Sequence, residues 1–234
     1  MKNLSTLCIA ASTLLATSSA MAWESTDGAW STSASLALST EYVWRGITQS
    51  DSEPAISGSF DLGHSSGAYA GIWASNVDFA GSDASTEIDY YAGFANDIGD
   101  TGFSYDIAAL YYDYPGASDE NLDFTEVIGS VNYSFFTAGI AYTIDADNKD
   151  LEDSVYYSLD AGYDIGSISL AAGVGHYDYD ENALLGLEDY NNYYVSASTE
   201  FAGFGLDLSY SDVDSDGELN GGDDQIVFTI SKSM

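Results

Sequence analysis

From residue 34 onward, apolar positions alternate with small or polar ones in one short segment after another. Phe103, Tyr105, Ile107, Ala109 and Tyr111 interleave with Ser104, Asp106, Ala108, Leu110 and Tyr112. Val155, Tyr157, Leu159, Ala161 and Tyr163 interleave in the same way with Tyr156, Ser158, Asp160 and Gly162. Successive side chains of a strand point to opposite faces, so each segment has one apolar face and one small or polar face. The pattern predicts strands over 34–47, 54–63, 68–78, 86–96, 103–114, 124–133, 136–145, 154–164, 168–179, 189–201, 204–213 and 224–233. Segments of about ten residues are long enough to cross a bilayer at a tilt.

The connections alternate too. Brief turns at 64–67, 97–102, 134–135, 165–167 and 202–203 are mostly glycine-bearing, which supplies the positive φ of tight hairpins. The other connections carry runs of acids and both prolines, as in 115–123, 146–153, 180–188 and 214–223. Six long and five short connections give an even strand number, with both termini on the short-turn side. The expected fold is all-β: a transmembrane up-and-down antiparallel β-barrel of about 12 strands, apolar outside and polar within. Ten or fourteen strands follow if one hairpin is misread. Tyr111, Tyr112, Tyr156, Tyr157, Tyr193 and Tyr194 cluster beside long loops, while Phe103, Tyr133, Phe136 and Phe204 flank short turns. Two interfacial belts of aromatic rings would look like this.

The first residues read differently. Met1-Lys2-Asn3, an apolar stretch from Leu4 to Ala16 and the small-residue site Ala20-Met21-Ala22 form a secretory signal over 1–22. A short segment over 23–33 and a barrel over 34–234 follow. Cys8, the one cysteine, lies in the signal, so no disulfide is expected in the rest. All 38 acids follow Ala22, against three basic residues there: Arg45, Lys149 and Lys232. Such a charge repels nucleic acid and excludes a phosphate-backbone partner. The 19 Tyr, 10 Phe and 4 Trp argue against the disorder that so acidic a chain otherwise implies.

Several stretches carry a family resemblance. Thr40-Glu41-Tyr42-Val43-Trp44-Arg45-Gly46-Ile47-Thr48-Gln49-Ser50, followed by Glu53-Pro54-Ala55-Ile56-Ser57-Gly58, resembles the opening of the TorF family of porins. So do Tyr69-Ala70-Gly71-Ile72-Trp73-Ala74-Ser75-Asn76-Val77-Asp78, Glu87-Ile88-Asp89-Tyr90-Tyr91-Ala92-Gly93 and Tyr111-Tyr112-Asp113-Tyr114-Pro115-Gly116. The resemblance runs over about residues 34–135. It implies an outer-membrane barrel and supplies no catalytic residues.

With faces assigned by the apolar set, Glu41, Asp61, Glu87, Asp89, Asp106, Glu126, Asp160, Glu200 and Asp207 point into the lumen, with Arg45 as their only basic companion. Glu41 and Arg45 share a face and are expected to form a lumen ion pair. The remaining carboxylates need water, cations or protons, because an unpaired buried charge is costly. Small inward residues such as Ser57, Ser59, Gly162 and Ser209 leave room for that water. A narrow barrel with a closed polar network is the bland alternative.

Residues 212–223 place Asp212, Asp214, Asp216, Glu218 and Asp223 around Gly217 in the spacing of a Ca²⁺ loop. A solvated acidic loop accounts for the same residues, so Ca²⁺ is an optional ligand and no cofactor is required. His176 beside a serine, or the pair Glu87 and Asp89, offers little for catalysis, and the chain is not expected to be an enzyme. The expected role is passive diffusion of small solutes, cations preferred, through the outer membrane of a Gram-negative cell. Outer-membrane lipid and lipopolysaccharide are then the surroundings, with a homo-oligomer left open. The alternative is a closed structural or adhesion-type barrel acting through its acidic loops.

Overall fold

A computed structural model of the chain describes residues 23–79, 82–117, 122–179, 188–214 and 224–234. Its strands are β1 (Trp23–Glu24), β2 (Trp30–Ser39), β3 (Val43–Trp44), β4 (Ile47–Thr48), β5 (Ala55–His64), β6 (Ala68–Asn76), β7 (Thr86–Asp97) and β8 (Phe103–Asp113). They continue as β9 (Phe124–Tyr133), β10 (Phe136–Ala146), β11 (Val155–Ile165), β12 (Ile168–Asp178), β13 (Tyr190–Phe201), β14 (Phe204–Val213) and β15 (Gln225–Ser233). Apart from the short β1, β3 and β4, each strand pairs antiparallel with its sequence neighbours. The ring closes because β2 pairs with both β5 and β15. The result is a closed barrel of 12 strands with no free edge.

Alternation decides the two faces. Along β7, Glu87, Asp89, Tyr91 and Gly93 turn inward while Tyr90 and Phe94 stand exposed on the outer wall. The outer face carries Leu36, Ile56, Ile107, Val131, Leu159 and Phe228, all exposed, as a surface solvated by hydrocarbon requires. Each wall strand is hydrogen-bonded to a neighbour on both sides, the condition for crossing a membrane with strands. Ser134–Phe135 joins the paired Tyr133 and Phe136, and Ala202–Gly203 joins Phe201 and Phe204, each in a two-residue turn. Ala202 and Gly203 have φ of +53° and +76°, the geometry that follows the twist of a hairpin.

Eleven wall strands lie within two residues of the expected limits. The first does not. The wall strand β2 spans Trp30–Ser39, and the chain then leaves the wall instead of continuing to residue 47. Residues 30–33 therefore belong to the barrel, and Trp23 and Glu24 pair with Thr32 and Ser31 where β15 has already ended. After leaving the wall the chain turns back at Arg45 and Gly46, whose φ of +49° and +85° make a two-residue turn between the paired Trp44 and Ile47. This small β3–β4 hairpin folds into the barrel.

Candidate functional site

The hairpin crosses the bore. Tyr42 donates its hydroxyl to Glu87 Oε1 at 2.9 Å on β7, and its ring packs 5.3 Å from Trp73 on β6. At the tip, a Cβ on Gly46 would stand 2.6 Å from Val213 Cγ1 and 2.8 Å from Asn192 Cβ, so β13 and β14 close against the turn. Gly46 thus meets two demands at once, left-handed φ and close approach. Between these contacts, Trp44 meets Tyr112, Phe124 and Tyr177 edge-on at 6.1–6.2 Å.

Arg45 holds the centre. Its Nη1 and Nη2 donate to Glu126 Oε1 and Oε2 at 2.7 and 2.8 Å, a bidentate pair whose side chains are each 1% exposed. Tyr112 adds a third donor to Glu126 Oε2 at 3.0 Å. The guanidinium lies 4.2 Å from the Trp44 ring centroid and 4.3 Å from that of Tyr156. Planar, weakly hydrated arginine suits such a cage, where fork geometry meets a carboxylate and ring faces meet the cation. An arginine with positive φ costs about 1–2 kcal/mol locally.

The expected ion pair is therefore corrected: Arg45 pairs with Glu126 on β9 and not with Glu41. A continuous strand would have placed Glu41 and Arg45 on one face, whereas the turn at Arg45-Gly46 sends the guanidinium to the far wall. Glu41 is buried in the inward segment, with Oε1 lacking a hydrogen-bond partner. The other eight acids occupy inward strand positions. Glu87, Asp89 and Asp207 are buried, and Asp89 Oδ1 is unpartnered. Asp61 accepts from Tyr91, Asp106 from Tyr69 at 2.6 Å, and Asp160 from Tyr194 at 3.0 Å. Glu200 has the inward parity but sits exposed near the short-turn end.

Tyr112 and Tyr156, expected in an interfacial belt, are buried inside with Tyr177 around Arg45 and Trp44. The signal for this was in the sequence. Adjacent tyrosines such as 111–112 and 156–157 must take opposite faces, so one of each pair points inward. On the loop side of the hairpin a cleft of about 380 Å³ opens between Trp44, Ile47, Phe79, Tyr114 and Phe124, with the exposed Asp51 and Asp78 among its lining.

Of the expected Ca²⁺ ligands, Asp212 accepts from Tyr193 at 2.5 Å and Tyr210 at 3.2 Å on the outer face. Asp214 accepts from the backbone and side-chain nitrogens of Asn191, each at 2.7 Å. These bonds hold the exposed Asp214 carboxyl below the usual carboxylate range. Asp216, Glu218 and Asp223 lie outside the described residues, as does the signal expected over 1–22. His176 faces outward beside Asn191, its Nδ1 2.9 Å from Asn191 Oδ1.

The family match spans nearly the whole barrel, residues 24–234, and the family is described as "Bacterial protein of unknown function (Gcw_chp)". The chain belongs to this family. No curated protein matches this Gcw_chp chain. Among solved structures it is similar to the KdgM porin, at 7% identity and a TM-score of 0.53 over 86% of this chain and 97% of that one. The NanC porin matches at 10% identity and 0.53, over 86% and 97% of the two chains. An outer membrane channel from Pseudomonas putida F1 matches at 13% identity and 0.51, over 91% and 97%. At these identities the Gcw_chp chain shares their fold, the outer-membrane β-barrel. The KdgM porin is also known in complex with disordered oligogalacturonate.

Proposed function

We propose that this Gcw_chp protein is an outer-membrane channel that passes small solutes and favours cations, with the β3–β4 hairpin as its constriction. The carrying observation is the charge of the inner face. Eight strand acids and Glu41 point inward, and Arg45, the one inward base among the described residues, is already neutralised by Glu126. Such a lumen concentrates cations and repels anions. The porins of the same fold and the resemblance of residues 34–135 to the TorF family support the channel reading. An acidic lumen disfavours a polyanion, so the ligand known for the KdgM porin does not carry over to this chain.

One observation favours a second reading, a closed barrel acting through its acidic loops. Arg45, Glu87 and Glu126 are 1–4% exposed, so little water reaches the bore where the hairpin crosses it. Current through refolded protein in a planar bilayer separates the two. Under a KCl gradient the channel reading expects a reversal potential on the cation side that shrinks as salt rises, because screening shortens the reach of the field. Replacing Glu87, Asp89 and Asp106 by their amides should weaken that preference. Anion selectivity would refute the charge argument, and folded protein without conductance would favour the closed barrel.

A further inference from the structure

Four times in the inner wall, a tyrosine lies flat across a glycine to reach a polar partner two strands away. Tyr91 of β7 crosses Gly71 of β6 to bond Asp61 of β5, and the three residues are in register. Tyr194 of β13 crosses Gly173 of β12 to Asp160 of β11, also in register. Tyr69 passes over Gly93 to Asp106 at 2.6 Å, and Tyr156 over Gly175 to Asn192 at 3.0 Å. At all four glycines an added Cβ would fall closer than 3.0 Å to the tyrosine above it, a separation real Cβ atoms essentially never show. These rings lie where any other residue would put its side chain.

Resting on the channel reading, we propose that Gly71, Gly93, Gly173 and Gly175 set the free bore. Lacking a Cβ, they let bulky tyrosines lie along the wall, where each ring hydrogen-bonds a polar neighbour and stays out of the path. In the closed ring, β6 and β12 are six strands apart whichever way one counts. The two groups of bridges therefore face each other across the lumen. A ring lifted from either wall enters the same space. Tyr156, flattened over Gly175, is also the ring that meets Arg45 at 4.3 Å, so this side of the wall positions the constriction as well. The glycines are positioning residues and act through the tyrosines.

Gly71→Ala with Gly173→Ala is the informative pair. Their close atoms belong to the far ends of Tyr91, Tyr194 and Asp160, which can move, whereas a Cβ on Gly93 would also meet the backbone oxygen of Ile107 at 2.7 Å. The double variant should stay folded by circular dichroism and heat-dependent gel mobility. Its conductance should fall by roughly twofold or more, since pore diameter governs passage. Adding Tyr91→Ala and Tyr194→Ala should restore the current. Gly162→Ala is the control: it faces inward, its added Cβ would stand 3.9 Å from the nearest atom, and it should conduct like the wild type. A cysteine at the inward Ser57, labelled by thiol reagents of increasing size, reads the same bore in a barrel that carries no current. A conducting wild type with an unchanged double variant would overturn the inference and leave the channel reading intact. Absent wild-type current would count against the channel, and the labelling series would still decide the bore: slower entry of bulky reagents upholds the inference and equal rates refute it.

Discussion

Removing one partner of the Arg45–Glu126 pair should free the hairpin without unfolding the barrel. The docked hairpin rests on two charge-assisted hydrogen bonds at 2.7 and 2.8 Å, with the rings of Trp44 and Tyr156 against the guanidinium. Glu126→Leu leaves a guanidinium buried without a counter-charge, which costs about 3–5 kcal/mol. At 1.4 kcal/mol per decade this shifts the docked-to-undocked ratio by roughly two to four orders of magnitude. The wall itself keeps its ladders, because β2 and β5 pair directly with each other over Trp30–Ser39 and Ala55–His64, outside the hairpin. Arg45→Met should act the same way by leaving Glu126 buried without its counter-charge. The double variant, Arg45→Met with Glu126→Leu, should return close to wild type, since an apolar pair of similar volume is often as stable as a buried ion pair. The assay is conductance together with labelling of a cysteine at Val43 by an impermeant thiol reagent. Both should rise in each single variant and fall back in the double. Equal labelling in all four proteins would falsify the view that this pair holds the hairpin across the bore.

Three further outcomes follow from the same geometry. Gly46→Ala must place a Cβ against Val213 and Asn192 at a φ of +85°, so hairpin docking should weaken by about 1 kcal/mol or more, read as faster labelling at Val43. A cysteine at Lys149 should react with impermeant reagent on intact cells and one at Gly166 should not; the reverse would invert the topology. If Ca²⁺ orders residues 212–223, calorimetry should show saturable binding that Asp214→Ala with Asp216→Ala abolishes, and identical titrations would leave only diffuse screening.

The lumen acids and the wall that carries them were legible because both rest on a period of two. A strand one residue out of register turns every side chain to the wrong face, so the apolar set fixes the parity of Asp61, Glu87, Asp106 and Asp207 at once. Turn chemistry fixed the short ends in the same local way, as at Ala202-Gly203. The first strand broke the rule through a two-residue feature, Arg45-Gly46. Arginine has no strong turn preference, and the alternation around it continues as if the wall went on. Nothing local states that the guanidinium will cross the bore, because its partner Glu126 lies 81 residues away and becomes a neighbour only when the ring closes. The same holds for the tyrosine bridges. Gly71, Tyr91 and Asp61 are unremarkable in the chain, and only strand register lines them up. Alternation, charge and turn residues thus determined a membrane barrel with an acidic interior. Closure of that barrel decided what fills it, since a contact across a lumen depends on circumference and register, which no single strand encodes.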